Sequence, residues 1–393
     1  MQNDGFSFID NGSSSLSLGR KKTKCSMIKV CTKLGISSDK YLLDELNKIE
    51  FLNKLAYKPD IIFDHTRKNI TEKPLWKYIV EDYEGVVAVA HIIVCFDEEK
   101  GLDPHFLLES IEEMTSNGVK LMLFHPTATN ELLEKAQNRL WSTTSWSGGL
   151  LRQDMNINNR KESIVTTLFD DILVILKKYN VTCDIGTVFR PSRISEALDE
   201  THRGEILLQE IFINRVKEAG VLCIREGCGH ISLDRIEEFC SLLDKSTPLM
   251  PLPVSTDVAI GFDHIACATA STLIGYYANL GIISQVTRVE HTGGIPNLDD
   301  VIEALKTARI VAHSLDLKNI PKTWDLDNAN SNARQTMRSC HVSGGLFDIP
   351  QENCNNQICD RCDVHCPLLC ITSNKYYYLD IKNVNYYIFD DKE

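Results

Sequence analysis

"EILLQEIFINRVKEAGVLCIREGCGH" occupies residues 205–230 and holds one full unit of a repeating plan. Its first half places apolar residues three and four apart, the pattern of a helix with one buried stripe. Lys217–Gly220 closes that pattern, because a glycine just past the last turn takes the left-handed backbone that stops a helix. "GVLCIREG" (220–227) follows at strand length, with Val and Ile and few breakers. The strand runs out into Glu226. Gly227 and Gly229 then let the backbone turn sharply and approach a ligand.

The same rhythm recurs on both sides. Strand-like runs are "MIKVCTKLG" (27–35), "DIIFDHT" (60–66), "GVVAVAHIIV" (85–94), "VKLMLFH" (119–125), "VTCDIGTVF" (181–189), "LMPLPVSTD" (249–257) and "IISQVTRVEH" (282–291). Helical patterns lie over 38–57, 162–179 and 298–315. Eight candidate strands with helices between most of them predict an α/β fold, a (β/α)8 TIM-type barrel with a C-terminal cysteine-rich tail. The main rival is a doubly wound open sheet. No GxGxxG opens the first strand–helix turn, which counts against a dinucleotide-binding version.

The chain has 393 residues, 43% hydrophobic and 24% charged, enough for a sizeable core. Its net charge of −12 argues against coating nucleic acid, whose backbone demands a basic face. "GRKKTK" (19–24), the one dense basic run, sits beside "NGSSSLSLG" and reads as part of a flexible arm over residues 1–25. The barrel is expected over 26–320 and a C-terminal segment over 321–393. No run approaches the ~20 apolar residues of a membrane span. No apolar signal core opens the chain. A cytoplasmic location is expected, where clustered cysteines point to metal or catalysis rather than disulfides.

In a barrel of this kind chemistry sits where strands end. The polar residues at those predicted ends are Asp64, His65, His91, His125, Thr187, Arg190, Glu226, His230, Thr256, Asp257, Glu290 and His291. His230 in "EGCGH" and His291 in "VEHTGG" both follow strands at glycine-flanked turns. Two neutral imidazoles on one rim can share a Zn²⁺ and leave positions open; the plain alternative is two unrelated loop histidines. "CNNQICDRCDVHCPLLC" (354–370) holds Cys354, Cys359, Cys362, Cys366 and Cys370, with His365 among them. Four such ligands suit a closed zinc site, and three cysteines suit a [4Fe–4S] cluster with one iron open. Spacing alone leaves both standing. Five tyrosines in "KYYYLDIKNVNYYIFDD" (375–391) favour packing over solvated disorder.

Taken in order, these segments resemble the phosphomethylpyrimidine synthase (ThiC) family from about Lys29 to Cys366. "IGTVFRPSR" (185–193) is similar to the family's LGDGLRPGS, "EGCGHIS" (226–232) to EGPGHVP, and "TDVAIGFDHI" (256–265) to TDIAPGYDHI. "VTRVEHTGGIP" (286–296) is similar to VTPxEHLGLP, and "VAHSLDLKNI" (311–320) to AAHAADLAKG. The resemblance implies a radical enzyme that uses S-adenosylmethionine and a [4Fe–4S] cluster to rearrange aminoimidazole ribotide toward the thiamin pyrimidine. It implies a metal on the histidines matching His230 and His291, and cluster ligands at Cys359, Cys362 and Cys366. A homodimer with exchanged C-terminal tails is implied, as is an electron donor of flavodoxin or ferredoxin type. His125, Arg190 and Glu226 match the family's substrate residues: Arg190 suits a phosphate, and Glu226 an amine, a ribose hydroxyl or a shuttled proton.

The departures are specific. The family's cluster motif is CxxCxxxxC, whereas Pro367 stands at the last position, with Cys366 one residue early and Cys370 as a substitute. Cys354, Cys359 and Cys362 form a reversed alternative. The family's KVNANIG becomes "KVCTKLG" (29–35), placing Cys31 and Lys33 where it has asparagines. A family tyrosine falls near Ile93, its SRGG becomes "WSGG" (146–149), and its motif aspartate falls on Thr187. A pocket built on hydrogen bonds does not keep its substrate when several donors change. The residues therefore predict a divergent paralogue acting on the ribotide or a similar phosphorylated heterocycle. One alternative is a 5-hydroxybenzimidazole synthase of anaerobic cobamide synthesis. The others are a zinc-dependent barrel lyase or hydrolase and a barrel that only binds.

Overall fold

The computed structural model describes residues 6–10, 15–20, 25–66, 71–337 and 345–347. Its first strands, β1 (Phe6–Asp10) and β2 (Ser15–Gly19), form an antiparallel hairpin. Eight parallel strands follow: β3 (Lys29–Leu34), β4 (Ile61–Asp64), β5 (Val86–Val89), β6 (Leu121–Phe124), β7 (Thr182–Ile185), β8 (Cys223–Gly227), β9 (Leu249–Pro251) and β10 (Ile282–Ser284). They are hydrogen-bonded in the order β10-β3-β4-β5-β6-β7-β8-β9. Leu249 closes the ring. Its N–H donates to Asn279 O at 2.8 Å and its carbonyl accepts from Gly281 N at 2.9 Å. The expected parallel (β/α)8 barrel is the fold.

Each strand core falls inside a run read from the sequence, trimmed at the ends because the polar residues there leave the ladder. Helices lie between successive strands, among them Leu42–Lys54, Pro104–Ser116, Glu200–Glu218 and Asp263–Tyr277. Their starts are capped as expected. Asp103 accepts from Phe106 N with Pro104 at the first helical position, and Asp199 accepts from His202 N. The pattern over 162–179 divides at Leu168 into Ile164–Thr167 and Phe169–Lys178.

Alternation along the strands sends every second side chain into the lumen. Cys31, Ile61, Phe63, Val86, Ala88, Leu121, Leu123, Ile224, Met250 and Ile282 meet there in one apolar cluster. Ile9 and Leu18 of the hairpin join it. The region read as a flexible arm over 1–25 therefore holds an ordered plug. Its alternating Leu16 and Leu18 are a strand signal that the surrounding serines obscure. Arg20 N also donates to Asn279 Oδ1 at 2.9 Å.

Contacts divide the chain into two units: 1–54 with 58–315, and 55–57 with 316–393. In the second, helix Trp324–Met337 follows a short turn at Pro321–Thr323, and Tyr57 packs edge-on against Phe347 at 5.1 Å. No helix of the described residues is long and apolar enough to cross a membrane.

Candidate active site

Past the apolar layer the lumen turns polar and opens as a cavity of about 300 Å³ at the C-terminal ends of the strands. Lys33 comes to it from β3, His65 from beyond β4, His125 from beyond β6, Arg190 from beyond β7 and Glu226 from β8. Gln285, Thr287 and Glu290 line it after β10. The helix Trp146–Ile157 presents its first turn to the wall, capped by Ser145, whose Oγ accepts from Gly148 N at 2.9 Å. A helix start brings partial positive charge to that side.

His125, Arg190 and Glu226 thus share one cavity. Burial, helped by the Arg190 charge, pushes His125 down to about 3, so its ring is neutral, one nitrogen donating and one accepting. Gly186 makes room for it: a Cβ there would lie 2.8 Å from His125 Nε2. Burial raises the Glu226 carboxyl, opposed by the nearby charges of Arg190 and Lys33.

Helix Glu200–Glu218 positions much of this. Buried Glu205 accepts from Thr127 Oγ1 at 2.7 Å and from the N–H groups of Val188 and Phe189, fixing the turn that carries Arg190. Gln209 Nε2 donates to the carbonyls of Ile185, Gly186 and Glu226, pinning the ends of β7 and β8 together. Sequence reading placed both residues in an ordinary helix. The only signal was their polarity on a stripe otherwise apolar.

On the rim the predicted histidines meet. The ring centroids of His230 and His291 are 5.1 Å apart. His230 Nδ1 bonds Asp257 Oδ1 at 2.7 Å, and His291 Nδ1 bonds Asp263 Oδ1 at 2.6 Å. Both Nδ1 atoms are engaged, so Nε2 is the nitrogen each ring offers a metal. For Nε2–metal bonds of ~2.05 Å at a tetrahedral angle of ~109°, with each centroid ~1.1 Å behind its nitrogen, the centroids belong ~5.1 Å apart. The observed separation matches the spacing of two ligands of one ion. Among the described residues no group of three or more His, Cys, Asp or Glu is placed to hold a metal.

The turn that aims His230 is tight. Gly229 has φ +116°, and a Cβ there would lie 2.7 Å from Pro191 O, which accepts from His230 N at 3.0 Å. Cys228 adopts φ +79°, an uncommon conformation for a residue with a side chain.

Other strand-end residues lie elsewhere. His91 is buried outside the cavity, with Nε2 against Ser110 Oγ and Cys95 Sγ, and burial pushes it down to about 3. It is a packed structural residue. Thr187 is buried, and its N–H serves Glu226. Thr256 and Asp257 lie beyond β9, which ends at Pro251. Cys354, Cys359, Cys362, Cys366 and Cys370, with the tyrosine-rich end, lie outside the described residues.

Comparison with known proteins turns this geometry into a family. Residues 15–371 match the model of the radical SAM ThiC family. The chain belongs to that family. It is 31% identical over 385 residues to the phosphomethylpyrimidine synthase of Clostridium novyi (strain NT), covering 92% of this chain and 85% of that one. It is 30% identical over 381 residues to the enzyme of the same name from Clostridium tetani (strain Massachusetts / E88), covering 93% and 82%. The protein is thus a radical S-adenosylmethionine enzyme, and membership implies a [4Fe–4S] cluster and S-adenosylmethionine as cofactors. The matched stretch includes the cysteine segment.

Proposed function

We propose that this enzyme rearranges aminoimidazole ribotide or a similar phosphorylated heterocycle, in the manner of phosphomethylpyrimidine synthase in thiamin pyrimidine synthesis. One observation carries the reading: a single cavity joins Arg190, His125 and Glu226 beside the carboxylate-held pair His230 and His291. Arg190 offers a planar cation for a phosphate, and the capped helix start at Ser145–Ser147 adds N–H groups on the same wall. Neutral His125 donates to or accepts from the heterocycle. Glu226 accepts an N–H or O–H of the ligand and can take or return a proton there.

His230 and His291 would hold a zinc ion whose open positions suit the amine and carboxylate of S-adenosylmethionine. Cys359, Cys362 and Cys366 would hold the cluster, which supplies the electron for radical chemistry. The barrel's own residues bind, orient and exclude water. The reading includes an exchanged-tail homodimer, a flavodoxin or ferredoxin donor and a cytoplasmic location. Among the described residues no group of three or more His, Cys, Asp or Glu is placed to hold a metal, whereas a self-sufficient catalytic zinc site uses three protein ligands. That favours the radical reading over a zinc hydrolase.

Lys33 and Ser147 line the cavity where the family motifs carry asparagine and arginine. These changes favour a second reading, a 5-hydroxybenzimidazole synthase-type paralogue that acts on the same ribotide and gives a different product. The test is anaerobic reconstitution with iron and sulfide, reduction, and addition of S-adenosylmethionine with the ribotide. 5′-Deoxyadenosine and methionine are expected, with the pyrimidine phosphate or 5-hydroxybenzimidazole naming the branch. A reconstituted protein that never cleaves S-adenosylmethionine refutes the proposal.

A further inference from the structure

The floor of the cavity holds a carboxylate that no family motif quoted above accounts for. Asp184 lies on β7, opposite Leu123 in the ladder. Leu123 faces the lumen, and so does Asp184. Its side chain is fully buried, and neither Oδ atom has a hydrogen-bond partner. Glu226 sits on the adjacent strand β8, two residues past lumen-facing Ile224, itself the ladder partner of Asp184. Glu226 Oε2 is likewise buried without a partner. Three carboxyl oxygens therefore face one another's surroundings with no donor. Two ionised carboxylates are disfavoured in such a place, because Glu226 accepts from the Thr187 N–H but no hydrogen bond offsets a charge on Asp184.

Lys33 reaches the same floor from β3, on the far side of the ring, and its charge acts on both acids. Of the other titratable groups, Cys31, His125 and Arg190 share the lumen with the pair, whereas Cys183 and Cys223 lie on the outer face of β7 and β8 within reach of the Asp184 charge. Burial keeps the three thiols and His125 neutral. Only Lys33 and Arg190 remain as cations. Of these two only Lys33 acts on Asp184, and the Glu226 charge outweighs it there, so the pair favours one negative charge over two.

We propose that Asp184 and Glu226 form a carboxyl pair sharing a single proton, with Asp184 as the positioning residue that keeps an O–H beside the Glu226 carboxylate. Asp184 lies below the cavity and touches no ligand; Glu226 lines it and does. Burial and the Glu226 charge both raise Asp184 well above the usual carboxylate range, so the proton resides there. Glu226 then meets the substrate as an anion that accepts from the Thr187 N–H and from the Asp184 O–H beneath it. The end of the heterocycle that enters the lumen must carry N–H or O–H donors, and the phosphate must lie toward Arg190. This rests on Glu226 being the ligand-facing acid of the proposed function.

The test needs no turnover. Infrared spectra of the full chain at neutral pH should show a protonated carboxyl band that Asp184→Asn abolishes, while circular dichroism stays native. Lys33→Met should make the band persist to higher pH, since the cation opposing protonation is gone. Absence of the band in the native protein, or its survival in Asp184→Asn, overturns the proposal. So does a band in Lys33→Met lost at lower pH than in the native chain. In turnover Asp184→Asn should lower kcat about ten- to a hundredfold, below the ~10²–10⁴ of removing an acid–base group outright. KM should stay within about twofold. A raised KM with unchanged kcat would mean that Asp184 only shapes the pocket. A protein that shows the band but never cleaves S-adenosylmethionine would sink the functional reading and leave this one standing.

Discussion

Removing the negative charge behind each rim histidine should weaken metal binding by amounts that the structure ranks. Asp263 is almost fully buried and bonds His291 Nδ1 at 2.6 Å; it also faces His291 N at 3.5 Å. Asp257 bonds His230 Nδ1 at 2.7 Å, but its side chain is 38% exposed. A carboxylate behind a ligating imidazole fixes the ring and raises its basicity, worth about 10- to 100-fold in affinity, or ~1.4–2.7 kcal/mol. Water screens the Asp257 charge, so Asp257→Asn belongs near the tenfold end. Asp263 acts through protein, so Asp263→Asn belongs near the hundredfold end. Asparagine keeps the size and an oxygen acceptor, which confines the change to charge. Cobalt(II) is the suitable probe, because a histidine site lacks the sulfur charge-transfer band of any thiolate site in the tail. Titration of the native chain, both variants and His291→Ala should give dissociation constants in that order. Equal affinity for all four, or a larger loss for Asp257→Asn than for Asp263→Asn, would refute the carboxylate-held pair as a metal site.

Three further outcomes follow from other contacts. Gly35→Ala should destabilise the barrel by about 1–3 kcal/mol or more in chemical denaturation, because its Cβ would lie 2.5 Å from His65 C and 2.6 Å from His65 O, backbone that cannot step aside. Asp64 is buried and raised from 3.8 to about 6. Its contribution is fully present below pH ~4 and lost as pH rises through ~6, a loss of up to ~3 kcal/mol that Asp64→Asn should not show when the two chains are unfolded at pH 4 and pH 8. Arg190→Gln should raise KM for a phosphorylated substrate roughly tenfold to a hundredfold, the worth of a charged hydrogen bond, while a phosphate-free analogue shows little change.

The barrel was legible because eight β-branched runs alternated with helical patterns, and each run contains an observed strand. The rim was legible for a different reason. Glycines beside His230 and His291 marked turns, and turns after barrel strands carry ligands. The floor was not legible by that route, because Asp184 sits inside a strand rather than after it. "VTCDIG" offered the signal: a charged residue in a run destined for burial, at the parity of the lumen. His91 misled for the converse reason. It follows β5 in sequence, but the chain turns at once into the helix Ile92–Cys95, and the ring is carried against Ser110 instead of into the cavity. Glu205 and Gln209 could not be assigned from sequence, since their roles come from backbone groups far along the chain that only the fold brings near.

One segment links rim and floor. "TDVAIGFDHI" (256–265) supplies both carboxylates of the rim, Asp257 for His230 and Asp263 for His291, from a loop and the helix start that follows it. A single short motif therefore sets the orientation of two rings contributed by separate strands. A change at either aspartate disturbs one ring directly and its packing against the other, which leaves little freedom to vary. The floor is under a different constraint. Lys33, Asp184 and Glu226 come from three strands, and their charges need only balance in sum. A cation gained at Lys33 can be met by an acid at Asp184 without moving Arg190 or the histidines. Divergence from the family's motifs should accordingly collect in the lumen, where charge is compensated across the ring. Lys33 and Thr187 stand where the family motifs carry asparagine and aspartate, while the aspartates and histidines of the rim match those motifs. A change of substrate with the rim pair retained is the outcome that this division of labour permits.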